Sequence, residues 1–268
     1  MDQLTDTLDR GGVRVAWTGP AGEPVVTVTL DRPDTRNAQT PAMWRALAAV
    51  GDNLPDGTRV VVLRSGGPVF SSGIDLRSFT PDGVDGESVL AQFQNLDEAA
   101  SVDLIAVYQR GFTWWHDRDD VITVAAVQGA AVGAGFQLAL ACDLRLCADT
   151  ARFAMRETSL GLVPDLAGTY PLVRITGYPR ALELCATGRW VGAEEALQLG
   201  IATSVVPLDG LEEATAGLVG ALLAAPEASL RSTKAVLRAA LDAPDAAAQR
   251  LTERRAQVPL LRGLAASL

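Results

Sequence analysis

Histidine, lysine and cysteine are scarce in this 268-residue chain, which has one histidine (His116), one lysine (Lys234) and three cysteines. A lone histidine without a partner gives no support to a metal centre or a Ser-His-Asp triad. It lies in the charged run HDRDD and reads as a surface residue. Cys142, Cys147 and Cys185 form an odd set without zinc-ligand spacing, and two of them fall in the most apolar stretch, as buried free thiols in a reducing compartment would. No metal is expected. Positive charge is also short: 23 Lys and Arg face 32 Asp and Glu, a net charge of −9, so nucleic acid is not an expected partner. Repeats and low-complexity linkers are absent. The acidic N-terminal MDQLTDTLDR lacks a signal-peptide core, which makes the cytoplasm the expected location.

Apolar residues are plentiful, at 48% of the chain, enough to fill a sizeable core. The expected organisation is a catalytic core over 1–200 followed by a helical region over 201–268. Val121 to Cys142 carries no charge and is long enough to span a bilayer. Its glutamines, its glycines and its β-rich first half favour a buried strand followed by a buried helix, so no membrane partner is expected.

The chain is organised around VITVAAVQGAAVGAGFQLALACDLRLCADTARFAMRETSLGLVPDLAGT, residues 121–169. A β-branched strand runs into Gly129, Gly133 and Gly135, then into the short apolar helix FQLALAC and a second strand, DLRLCA. Glycines with only small neighbours let bare backbone N–H groups approach a ligand. At a helix start those groups are unpaired and favour partial negative charge. Glu157 and Asp165 follow in a turn-rich segment. The order G-x-x-x-G-x-G is not the dinucleotide fingerprint G-x-G-x-x-G. A serine hydrolase would need G-x-S-x-G and a base, and neither is present.

Upstream, PVVTVTL alternates as a strand, Thr40 and Pro41 open a helix to about Val50, and RVVVLRS is a further strand. Glu87 to Arg118 reads as helix, with Phe112, Trp114 and Trp115 bulky enough to line an acyl pocket or simply to pack. Amphipathic helices close the chain. Lys234, Arg231 and Arg238 on them read as solvated charges or as contacts to phosphates.

Three matches in the same order, LDRPDTRNA, FSSGIDL and GAAVGAGFQLALACDLRLCADTARF with RETSLGL and PDLAGT, resemble the crotonase, or enoyl-CoA hydratase/isomerase, family. The resemblance implies an α/β fold, a ββα superhelix whose C-terminal helices complete a homotrimer or a dimer of trimers (homohexamer). It implies an acyl-CoA thioester as partner, with coenzyme A part of the substrate and no separate cofactor. By resemblance Arg36, Asn37, Ala38, Ser72 and Gly73 contact CoA, and the N–H groups of Ile74 and Ala134 form an oxyanion hole. Family hydratases hold water between two glutamates. Here those positions are Gln137 and Glu157, and Gln cannot exchange a proton at ordinary pH. Asp165 stands where hydratases usually have glycine and resembles the dienoyl-CoA isomerases. The implied catalytic pair is therefore Glu157 and Asp165, with Gln137 a polar residue of the site, and a double-bond shift fits better than hydration. The alternatives are a hydratase with an altered first glutamate and a non-catalytic acyl-CoA-binding protein.

Overall fold

The structure, a computed structural model, describes residues 2–266. In chain order the elements are α1 (Asp2–Gly11), β1 (Val13–Ala16), β2 (Val25–Leu30), α2 (Pro41–Asp52), β3 (Val60–Ser65), α3 (Val89–Gln94) and α4 (Glu98–Asp117). The central stretch supplies β4 (Ile122–Val127), β5 (Ala130–Val132), α5 (Ala134–Ala141), β6 (Leu144–Ala148) and β7 (Arg152–Ala154). Then come α6 (Thr169–Thr176), α7 (Tyr178–Thr187), β8 (Val191–Gly192), α8 (Ala193–Gln198) and β9 (Ser204–Val206). The chain closes with α9 (Leu211–Ala224), α10 (Glu227–Asp242) and α11 (Ala246–Ala266).

A six-stranded sheet has the order β1-β2-β3-β4-β6-β9, parallel except where β1 runs against β2. Its central strands are mostly apolar because both faces are covered. In β3, Val61 and Leu63 enter the main core while Val60 and Val62 pack toward α9, and β4 splits Ala125 and Val127 from Val124 and Ala126 in the same way. A second sheet, β5-β7-β8, forms a smaller layer. The chain thus steps from a long strand to a short one and then to a helix, as in β4-β5-α5, which is the expected ββα repeat. The uncharged run 121–142 is divided among these three elements. Among the described residues no helix is long and apolar enough to cross a membrane.

Thr40 caps α2 as expected, its hydroxyl accepting from the Met43 N–H at 3.2 Å. The Glu87–Arg118 helix is instead two helices, separated where Asp97 caps α4 by accepting from the Ala100 N–H at 2.8 Å. Phe112 and Trp115 do not line a pocket. They are fully buried in the main core, and Trp114 donates to the Leu47 carbonyl at 2.9 Å across the α2/α4 contact. Lys234 is not a solvated charge, and His116 is only partly at the surface. Lys234 of α10 is 6% exposed and donates to Asp143 Oδ2 at 2.7 Å and to the Val121 carbonyl at 2.8 Å. Half-buried His116 faces the other carboxylate oxygen of Asp143 at 3.5 Å. Cys142 and Cys147 are buried and free, and burial pushes the Cys147 thiol up to about 12.

Candidate active site

Three segments converge beside the N-terminus of α5. Ser71 donates from its N–H to Ala130 (3.0 Å) and accepts at its carbonyl from Val132 (3.0 Å), extending the β5 layer. On its other side the same loop pairs with residues 36–39: Ser72 N–H to the Arg36 carbonyl at 3.0 Å, Gln39 N–H to Gly73 at 2.7 Å and Asp75 N–H to Gln39 at 2.8 Å. Gly73 has φ +89, and a Cβ there would meet the Val132 carbonyl at 2.7 Å. A Cβ on Gly135 would likewise meet the Ser71 Cβ at 2.7 Å. Glycine at both positions lets the loop lie directly on the start of α5.

Two N–H groups are left over by this packing. Among the described residues neither Ile74 nor Ala134 finds an acceptor for its N–H within the chain. Ala134 is the first residue of α5, where the helix supplies none. The Ile74 side chain packs against the main core.

The carboxylate side of the site is built on Gln137, which is 1% exposed on α5. Its Oε1 accepts two N–H bonds, from Leu166 at 2.9 Å and Gly168 at 3.2 Å, and its Nε2 donates to Glu157 Oε1 at 2.6 Å. Glu157 opens a short 3₁₀ turn after β7. Its Oε2 is buried without a hydrogen-bond partner. A Cβ on Gly133 (φ +49) would stand 3.1 Å from Glu157 Oε1, so the glycine keeps that flank of the carboxylate open. Burial raises the Glu157 pKa above the ordinary glutamate value, and the nearby Asp165 charge adds to this. Backbone N–H groups and the Gln137 amide act in the opposite direction without cancelling it.

Arg156 does not pair with Glu157. Its guanidinium donates to the Gly188 carbonyl at 3.1 Å and lies 5.9 Å from the Trp190 ring. Asp165 does not cap α6, whose cap residue Gly168 has no side chain to offer. The residue is exposed in part, and burial around its carboxyl raises its pKa above the ordinary aspartate value. Gln109 of α4 donates to the Asp165 carbonyl at 2.6 Å. No local feature of the sequence marks Gln109 for this; the contact spans 56 positions of chain.

Of the residues with an implied CoA contact, Asn37 is fully buried. Its side chain accepts from the Arg32 N–H at 2.8 Å and donates to the Val69 carbonyl at 3.0 Å, its N–H donates to the Arg32 carbonyl at 2.9 Å and its carbonyl accepts from the Ser71 hydroxyl at 2.8 Å, so its polar groups are engaged within the chain and shape the turn. Arg36 and Asn37 both have positive φ, 55 and 52, which turns this main chain sharply. Arg32 binds the Ala38 carbonyl and approaches Asp75 at 3.5 Å. Arg36 presents an exposed side chain, and Ser72 donates to the Thr35 carbonyl at 3.3 Å.

A two-layered ββα core, one unpaired N–H at the start of α5 with another in the loop laid upon it, and a carboxylate with a buried oxygen beside Gly133 are the arrangement of a crotonase-type enzyme. A family model described as enoyl-CoA hydratase/isomerase matches residues 21–261, and the chain belongs to that family. It is 46% identical to a protein of Thermobifida fusca YX described as an enoyl-CoA hydratase and solved with CoA. The two superpose with a TM-score of 0.89 over 97% of this chain and 96% of the other. The structure with acetoacetyl-CoA from the same organism gives 0.90 at 46% identity, over 96% and 98%. The carnitinyl-CoA dehydratase of Salmonella typhi is 35% identical over 225 residues, 82% of this chain and 79% of that protein.

Proposed function

We propose that this enzyme relocates a proton along the acyl chain of an enoyl- or dienoyl-CoA thioester, shifting a double bond, with Glu157 as the acid/base and Asp165 as its partner. The observation that carries this is the 2.6 Å contact from Gln137 to Glu157. It leaves no gap for a water between the two side chains and supplies no second acid there. Glu157 Oε2, buried and unpaired, is the atom positioned to take a proton from one carbon, and the same proton or one held by Asp165 returns to another. Electrons then move from the broken C–H bond toward the thioester carbonyl and back. The N–H groups of Ile74 and Ala134 meet the oxygen while it is negative, a contribution worth on the order of 10² to 10³ in rate for one such donor.

CoA as the carrier group is supported by the complexes of the Thermobifida fusca protein with CoA and acetoacetyl-CoA. Its binding would use the segments Arg36 to Ala38 and Ser72 to Gly73, without a separate cofactor. A second reading, hydration or dehydration with Glu157 alone, is favoured by the descriptions of relatives as a hydratase and a dehydratase. A panel of 2-enoyl-, 3-enoyl- and 3,5-dienoyl-CoA esters separates the two readings. Rapid hydration of the 2-enoyl ester with the others left unchanged would remove the isomerase reading. Glu157→Gln is expected to lower turnover by about 10² to 10⁴ with ester binding little changed. Assembly as a trimer or dimer of trimers is part of the same proposal, supported by exposed leucines at 237, 241, 251, 261 and 264 on α10 and α11. Sedimentation as a stable monomer at micromolar concentration would count against it.

A further inference from the structure

We infer that Gln137 is the positioning residue of this site: one buried amide fixes both the face of Glu157 that meets substrate and the turn that carries Asp165. The inference rests on the reading of Glu157 as the proton-carrying group, and it adds a role for a side chain that exchanges no proton itself.

The orientation of the amide is determined by its neighbours. Two backbone N–H groups, from Leu166 and Gly168, point at one end of it, and only the oxygen can accept them. The NH₂ end must then face Glu157, where it donates to Oε1 at 2.6 Å. A flip would set the NH₂ group against two donors and leave an oxygen facing a carboxylate, all inside the core, where unpaired polar groups cost most. With Oε1 engaged, Oε2 is the carboxylate oxygen left without a partner.

The same oxygen holds a strained turn. Ala167, between its two donors, has φ +64, which a residue with a Cβ adopts at a cost of about 1 kcal/mol or more. Gly168 lies so close that a Cβ there would meet the Gln137 Cγ at 2.5 Å. From outside, Gln109 holds the Asp165 carbonyl. The turn is thus pinned from within by α5 and from without by α4, with Asp165 at its start. Replacing Gln137 releases the inner pin and frees Oε1 in one step.

Two variants separate these functions. Gln137→Met fills the space but removes both the acceptor and the donor. Gln137→Glu keeps an oxygen for Leu166 and Gly168 and replaces the donor with a second acid. The Gln137 donation lowers the Glu157 pKa, so its loss should move the Glu157 titration to higher pH in Gln137→Met, whereas in Gln137→Glu the two touching carboxyls should share a proton and titrate in two separated steps. This is read by ¹³C NMR of glutamate-labelled protein, with the Glu157 signal assigned by its absence in Glu157→Gln. Gln137→Met is further expected to lower kcat by about 10 to 10², with KM little changed and the acidic limb of the pH profile displaced upward, because misplacement of reacting groups by an ångström is worth that much. If Gln137→Met fails to fold, Gln137→Glu, which keeps the turn, decides the matter: two separated titration steps show the side chains held in contact, and a single step as in wild type shows that they are not. A Glu157 signal that titrates in folded variants as it does in wild type overturns the inference. Full turnover in Glu157→Gln together with these titration changes in the Gln137 variants would overturn the catalytic reading and leave the positioning role standing.

Discussion

At the scale of single residues the proposed mechanism depends on one carboxylate whose surroundings oppose its charge. Burial and Asp165 raise the Glu157 pKa. A base acts only when deprotonated, so kcat/KM should fall as the pH drops through a value above the ordinary glutamate range. Asp165→Asn removes a negative charge that favours protonation of Glu157, and the acidic limb should therefore move to lower pH while turnover falls, if the two act as a pair. A limb that stays in place would show that Asp165 does not sense Glu157. Glu157, Asp165 and the glycines could be singled out in the sequence because the family resemblance marks their positions. The committed state of Gln137 was not legible, since its partners at 157, 166 and 168 lie 20 to 31 positions away and hydrogen-bond direction is not a property of spacing.

At the scale of elements the alternation of β2, the cap of α2 and the division of 121–148 into strand, strand, helix and strand could all be read from local pattern, because each has its own turn or cap residues. The break at 95–97 was hidden by apolar residues on either side of it. The aromatic run 112–115 was misleading for a different reason: a bulky residue fits a pocket wall and a core equally well, and packing of α2 on α4 decides between them. That packing is close. Gly51 of α2 lies beneath Trp114, where a Cβ would meet the indole at 2.6 Å. Gly51→Ala should push the helices apart and destabilise the protein by about 1 to 3 kcal/mol, as overpacking does, measured by denaturant unfolding. Because α4 also carries Gln109, activity should fall in the folded variant. Unchanged stability would mean that Trp114 moves aside freely.

At the scale of the whole molecule the C-terminal helices are tied to the catalytic core by a polar node that the sequence did not reveal. Lys234 is the chain's only lysine, and it reaches across 91 positions to Asp143, beside the strand that leaves α5. Burial alone would raise the Asp143 pKa, but His116, Lys234 and the Thr123 N–H together outweigh it and hold the pKa below the ordinary aspartate value. A carboxylate with a lowered folded pKa contributes stability that is present above its unfolded pKa and lost as the pH falls through the folded value. Lys234→Met should therefore leave the mostly buried Asp143 carboxylate without its lysine, a change worth roughly 3 to 5 kcal/mol when a buried pair is broken. The deficit should be largest near neutral pH and shrink in acid, as Asp143 takes up a proton in both proteins. Chemical denaturation of wild type and variant across that pH range gives the comparison. Equal stability at neutral pH would show that α10 is held by its apolar contacts alone.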